Sequence, residues 1–199
     1  SRLSATRLPG KPLLKINGIS VISHVVKRAK EASIGEVCVA TEDKEIVMDV
    51  EKNGGQAILT SNNPKTGTDR IYEALTKLGR TDFDLVMNLQ GDEPLINLDD
   101  IRNLNNQMIK NKSCLGTLAS SITSKDILRN QNVVKVITKK NLNESNFPEA
   151  KNFFRKSKDV YNNTYHHLGI YCYTFDTLKK FVSFPQSLNE QKNKLEQLR

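Results

Sequence analysis

The chain reads as an α/β protein with a mostly parallel central sheet flanked by helices. Three observations predict this. Short β-branched runs alternate with amphipathic stretches of helical period. The connections between them are short. The run DLVMNLQ at 84–90 is apolar almost without interruption, as a strand covered on both faces would be.

Each element has its own signal. In ISVISHVVKRAKEAS, residues Val21, Ile22, Val25, Val26 and Ala29 fall on one helical face. EVCVAT at 36–41 is a β-branched strand. DKEIVMDVEKNGG is a helix with Asp43 near its start and a Gly54–Gly55 stop, and QAILTS is the next strand. TGTDRIYEALTKLG is a helix opened by Thr68 and Asp69 and closed by Gly79. After the 84–90 strand comes the helix LDDIRNLNNQMIKN. CLGTLASSI and NVVKVIT read as strands with no long helix between them. Residues 139–165 are polar and weakly patterned, and are expected to form a loop or excursion. HHLGIYCYTF is a strong strand, and LNEQKNKLEQLR reads as a helix.

Composition limits the function classes. The 199 residues suit a single domain, 1–199, with the 139–165 excursion inside it. The apolar share is 37% and the mean hydropathy −0.50, and no apolar run approaches a bilayer's thickness. No leader opens the chain, so the expected compartment is the cytoplasm, with no membrane partner. Cys38, Cys114 and Cys172 are far apart and odd in number, which suits buried reduced thiols rather than a disulfide framework or a metal knot. The net charge of +8 comes from dispersed lysines, and aromatics make up only 6%. Nothing resembles the aromatic–basic interleaving of single-strand binders, so nucleic acid is not the expected partner. His24, beside Val25 and Val26, reads as structural.

Two stretches carry chemistry. At the carboxyl end of the 84–90 strand the sequence turns abruptly polar: Gln90, Gly91, Asp92, Glu93, Pro94. Sheets of this class bind ligands beyond the carboxyl ends of their strands. Asp92 there suits Mg2+, which takes one or two carboxylates and completes its shell with phosphate oxygens and water. The same residues also suit a plain Gly–Asp turn. The second stretch opens the chain, SRLSATRLPGKPLLKING, where Arg2, Arg7 and Lys11 stand among small and turn-forming residues. Small residues let backbone amides approach a phosphate chain. Arginine adds a planar fork and lysine a point charge.

RLSATRLPGKPL, VATEDKEI, TGTDR, LQGDEPLI, NVVKVI, HHLGIYCYTF and LEQLR occur here in the order found in the 3-deoxy-manno-octulosonate (Kdo) cytidylyltransferases. The chain resembles that family over nearly its whole length. The resemblance implies a Rossmann-like nucleotide-diphospho-sugar transferase fold and a Mg2+-dependent transfer of CMP from CTP to Kdo for lipopolysaccharide synthesis. It also implies a homodimer. Residue by residue, it implies Arg2 and Lys11 on the triphosphate, Arg7 on the acidic sugar and Asp92 on Mg2+. It further implies Gln90, His167, Tyr171, Glu196 and Gln197 on the sugar, and Thr68 and Arg70 near the nucleotide. The chain opens inside the family's first motif and stops at Arg199, before a segment that carries a second Asp ligand, so truncation at both ends is expected. Pro64 stands where the family usually has His, and Gln131 where it has Pro. Other acidic sugars, amino-Kdo or sialic acid, are the alternative substrates, and a non-catalytic nucleotide-binding fragment is the alternative role.

Overall fold

The computed structural model describes residues 1–3, 8–156 and 162–199. Its first elements are β1 (Lys15–Ile16) and β2 (Ile19–Ser20), an antiparallel pair. The turn between them uses Asn17 (φ 50°) and Gly18 (φ 83°), the left-handed pair that matches the twist of a two-residue hairpin. Helix α1 (Val21–Glu31) follows at once, because the Ser20 side chain accepts the Ser23 amide and caps it. All five residues of its predicted apolar face are buried.

Strand β3 (Val39–Thr41), helix α2 (Lys44–Lys52) and strand β4 (Ala57–Leu59) form a right-sized crossover unit, and β3 and β4 pair in parallel. Ile22 and Val26 of α1 meet Val39, Ile46 and Val50 to make the first core. Helix α3 (Gly67–Leu78) starts one residue ahead of Thr68, which with Asp69 was expected to open it. Thr66, not Thr68, is the cap, and it forms a reciprocal capping box with Asp69. Strand β5 (Leu85–Asn88) is covered on both faces: Val86 enters one core, and Leu85 and Met87 pack against another. Helix α4 (Leu98–Lys110) supplies Ile101, Leu104 and Met108 to the latter.

The expectation of a mostly parallel sheet fails after α4. Strands β6 (Leu115–Ser120), β7 (Lys135–Thr138) and β8 (Ala150–Phe154), and the long strand β9 (Thr164–Thr174), join β5 in a five-stranded sheet. Every pairing recorded within it is antiparallel. The reason lies in the connections. A parallel pair needs a crossover of a dozen or more residues, usually with a helix. Helix α5 (Lys125–Arg129) lies between β6 and β7, which do not pair with each other, whereas no described helix separates β7, β8 and β9. The molecule is therefore α/β with mixed sheets.

Other corrections are local. The 139–165 excursion holds β8 in its middle and the start of β9. Helix α6 (Phe175–Ser183), capped by Thr174, was not anticipated. The expected helix at 188–199 is helix α7 (Leu188–Asn193), then a break at Lys194 (φ 52°), then a 3-10 turn, Glu196–Leu198. Leu195, 3% exposed, anchors the break. Of the three cysteines only Cys172 is buried; Cys38 and Cys114 are exposed, each just ahead of a strand rather than inside it. Among the described residues no helix is long and apolar enough to cross a membrane.

Candidate active site

A cleft of about 1930 Å³ runs from the opening loop, past the end of β5, to β9 and the 196–197 turn. Its walls include Arg2, Lys11, Gln90, Asp92, His167, Tyr171, Glu196 and Gln197, together with Arg70. These residues come from five separate stretches of sequence, and the fold brings them to one space. Thr68 is fully buried and is not part of the wall, whereas its neighbours Thr66 and Gly67 are. The Arg7 expectation lies outside the described residues.

The phosphate-type residues cluster at one end. The opening loop is closed by Gly10 N–H donating to the Leu3 carbonyl (3.0 Å), and Leu3 N–H in turn donates to Asp43 (2.7 Å). Lys11 then starts a 3-10 turn, Lys11–Leu13, and its Nζ donates to Asp92 Oδ2 at 2.8 Å. Gly91 lets the β5 turn sit this close. A Cβ there would come within 3.0 Å of Ile22 Cδ1 and 3.2 Å of Ser1. Burial holds the Glu93 carboxyl above its ordinary range, Asp92 adds to this, and Lys11 opposes it. Arg2 is exposed on the same wall.

Among the described residues no group of three or more His, Cys, Asp or Glu side chains could hold an ion. Asp92 is a single, half-exposed carboxylate with Oδ2 on Lys11. That suits Mg2+ only in its substrate-borne form, where phosphate oxygens and water make up most of the shell.

The polar residues of β9 cluster at the other end. Gln90 Nε2 donates to the Gly169 carbonyl at 2.6 Å. That carbonyl is available because the β6–β9 register slips between Thr117 and Leu118, leaving Gly169 and Ile170 out of the ladder. His167 and Tyr171 share a face, with ring centroids 5.4 Å apart. His167 is 5% exposed, its Nε2 lies 2.9 Å from Thr117 Oγ1, and Phe153 meets it edge-on at 5.0 Å. Burial, then His166, pushes its pKa down to about 4, so the ring is neutral near pH 7. The Tyr171 hydroxyl, which burial pushes well above the ordinary phenol range, donates to Gln197 Oε1 at 3.2 Å. Glu196 is raised by burial. Its Oε2 and Thr68 Oγ1 are buried without a well-formed hydrogen bond, although Thr66 and Thr68 lie close enough to offset part of the cost.

Arg70 stands on the cleft wall and is also tied internally. Its guanidinium donates to Glu42, to Thr60 Oγ1 (2.5 Å) and to the Ser61 carbonyl (3.0 Å), and the residue is 6% exposed. It ties the ends of β3 and β4 to α3. His24 Nε2 lies 2.8 Å from the Ile16 carbonyl, a structural contact as expected. Two contributors escaped the sequence reading. Gly169 offers a main-chain acceptor that only the bulge reveals. Arg199 ends LEQLR, but nothing local in the sequence indicates its partners Asp69 and Glu190.

A family model described as cytidylyltransferase matches residues 1–199. The chain belongs to the cytidylyltransferase family. Among similar cytidylyltransferases is the 3-deoxy-manno-octulosonate cytidylyltransferase of Thermodesulfovibrio yellowstonii, 42% identical over 210 residues, covering 100% of this chain and 82% of the relative. The enzyme of the same name from Nitrobacter winogradskyi is 40% identical over 206 residues, covering 100% of this chain and 78% of its own. Among solved structures, a CMP:2-keto-3-deoxy-manno-octonic acid synthetase complexed with CTP superposes with TM-score 0.86 at 36% identity, covering 100% of this chain and 81% of that one. These likenesses set the chain among the 3-deoxy-manno-octulosonate cytidylyltransferases. An apo UDP-glucose pyrophosphorylase, 14% identical with TM-score 0.64 and covering 91% of this chain and 74% of its own, shares the fold alone.

Proposed function

We propose that this cytidylyltransferase transfers CMP from CTP to the anomeric hydroxyl of Kdo, releasing pyrophosphate, in the cytoplasm and as a step of lipopolysaccharide synthesis. The observation that carries the reading is the division of one cleft: the Lys11–Asp92 pair at one end, the His167–Tyr171–Gln197 cluster at the other. Gln90 joins the two, because it leaves β5 two residues before Asp92 and bonds the β9 bulge.

In the reaction the sugar hydroxyl attacks the α-phosphorus, the bond to the bridging oxygen breaks, and pyrophosphate departs. Such transfers ask the protein mainly for positioning and charge neutralisation. Lys11 and Arg2 face the triphosphate and offset its charge. Asp92 would hold Mg2+ with the phosphate oxygens; the bound ion would supply further neutralisation of charge on the leaving group. Tyr171, Gln197 and neutral His167 present hydrogen-bonding groups to sugar hydroxyls. A pocket built this way rejects an analogue that leaves its buried polar groups unpaired. A homodimer belongs to the same proposal.

The test is pyrophosphate release from CTP and Mg2+ on addition of Kdo, with sialic acid as the comparison sugar. Release that needs Kdo supports the reading. Equal release with sialic acid, or none with either sugar, overturns it.

A further inference from the structure

Arg199 is the most heavily engaged side chain near the cleft that the proposed chemistry leaves without a role. Its side chain is 2% exposed. Nη1 and Nη2 reach the two oxygens of Asp69 at 2.8 and 3.2 Å, a bidentate fork. Nε and Nη2 reach Glu190 at 3.0 and 2.8 Å, and the guanidinium lies 4.6 Å from the centroid of the Phe181 ring. Glu190, itself 2% exposed, also accepts from Gln186 at 2.8 Å. Burial alone would raise both carboxyls, but the bonds from Arg199 with those from Thr66 and Gln186 hold them below their ordinary range, so the cluster stays ionised.

Asp69 is also the third residue of α3, and its Oδ2 accepts from the Thr66 amide (3.0 Å) and hydroxyl (2.8 Å). One carboxylate thus closes the amino end of α3 and holds Arg199. Three residues before Arg199 stands the turn that carries Glu196 and Gln197 into the cleft. Their own side-chain anchors are few: Gln197 has the 3.2 Å bond from Tyr171, and the Glu196 carboxyl lies against Thr66 and Thr68 with Oε2 buried and lacking a well-formed hydrogen bond. What fixes the turn is its carboxyl side: Ser187 Oγ donates to the Leu198 carbonyl (2.6 Å), Arg199 N–H to the Glu196 carbonyl (3.1 Å), and the guanidinium locks into α3 and α7.

We propose that Arg199 is a positioning residue that sets the reach of Glu196 and Gln197 by bolting their turn to the start of α3, and thereby tunes sugar affinity without touching the sugar. The inference rests on reading the cleft as the CTP and Kdo site. Lysine keeps the charge but loses the fork, so Arg199→Lys is the informative change. In the full chain, Arg199→Lys should raise the KM for Kdo by roughly ten-fold or more, as expected for loss of charge-assisted bonds, while the KM for CTP stays within about two-fold. A purely structural role would lower the folded fraction and depress kcat with both KM values unchanged. Unchanged constants, or a parallel rise in both, overturn the proposal. Glu190→Gln, which spares the Asp69 fork, should shift the Kdo constant in the same direction by less, and it serves if the lysine variant folds poorly. Amide hydrogen exchange provides a readout that needs no turnover. Residues 195–198 should lose protection in Arg199→Lys while α1 and α4 keep theirs; unchanged protection overturns the bolt itself. Wild-type protein that releases no pyrophosphate with Kdo sinks the reading of the cleft instead, and leaves the exchange result to decide the role of Arg199.

Discussion

His167 is a neutral imidazole because it is buried, and that choice has a measurable cost. Its ordinary value of 6.5 is pushed to about 4 by burial first and His166 second. Between those values an unfolded chain binds a proton that the folded chain refuses. Its contribution is therefore fully favourable above about pH 6.5, declines as pH falls toward 4, and levels off below. The total is on the order of 3 kcal/mol at about 1.4 kcal/mol per unit. Urea denaturation at pH 8 and pH 5 should show a larger loss for wild type than for His167→Gln; equal losses would contradict the assignment. Asp92 makes a different case. Its pair with Lys11 has side chains 36% and 49% exposed, so the pair adds little stability. Asp92→Asn should melt within a degree or two of wild type, yet lose roughly ten- to hundred-fold in turnover if a charged contact is lost. Full turnover at ordinary Mg2+ would remove Asp92 from the site. At this scale the sequence was most legible where residues act from one stretch. QGDEP and PGKPL announced Asp92 and Lys11. Arg70 was harder to read, because its partner Glu42 sits 28 residues away and only the fold shows the pair as internal.

Elements before residue 110 were legible and later ones only partly, for a physical reason. Helices α1, α3 and α4 carry their own side-chain caps, and all four helices to residue 110 carry apolar faces, which are local signals. The direction of β9 is not local: nothing within HHLGIYCYTF says whether its neighbours run with it or against it. The close spacing of β7, β8 and β9, with no described helix between them, is the sequence signal that points to an antiparallel arrangement. The break at Lys194 was invisible for a similar reason. Helix α7 ends where buried Leu195 turns the chain, and polar LNEQKNK gives no periodicity to end. The Thr66 cap yields a prediction. Thr66→Ala removes the hydroxyl half of the capping box while the residue-66 amide keeps its bond to Asp69, and should cost about 1 kcal/mol, or roughly 2–4 °C in Tm for a chain of this size. An unchanged Tm would mean the Thr66 hydroxyl adds nothing to the start of α3.

Across the whole molecule the site is a junction. The β3–α2–β4 unit with α1 carries the opening loop, the antiparallel sheet carries β9, and β5 pairs with β9 while the Gly91 turn after it lies against Ser1 and Ile22, delivering Gln90 and Asp92 between them. This arrangement keeps the two ends of the cleft, proposed for CTP and for Kdo, separable. It is tested by measuring the KM for CTP and for Kdo in two variants side by side. Lys11→Ala should raise the CTP constant by roughly ten- to hundred-fold, the loss of a charge-assisted contact, and leave the Kdo constant nearly unchanged. Gln197→Ala should do the reverse. If both variants shift the same constant, or each shifts the one assigned to the other, the cleft is not divided in the way its geometry indicates.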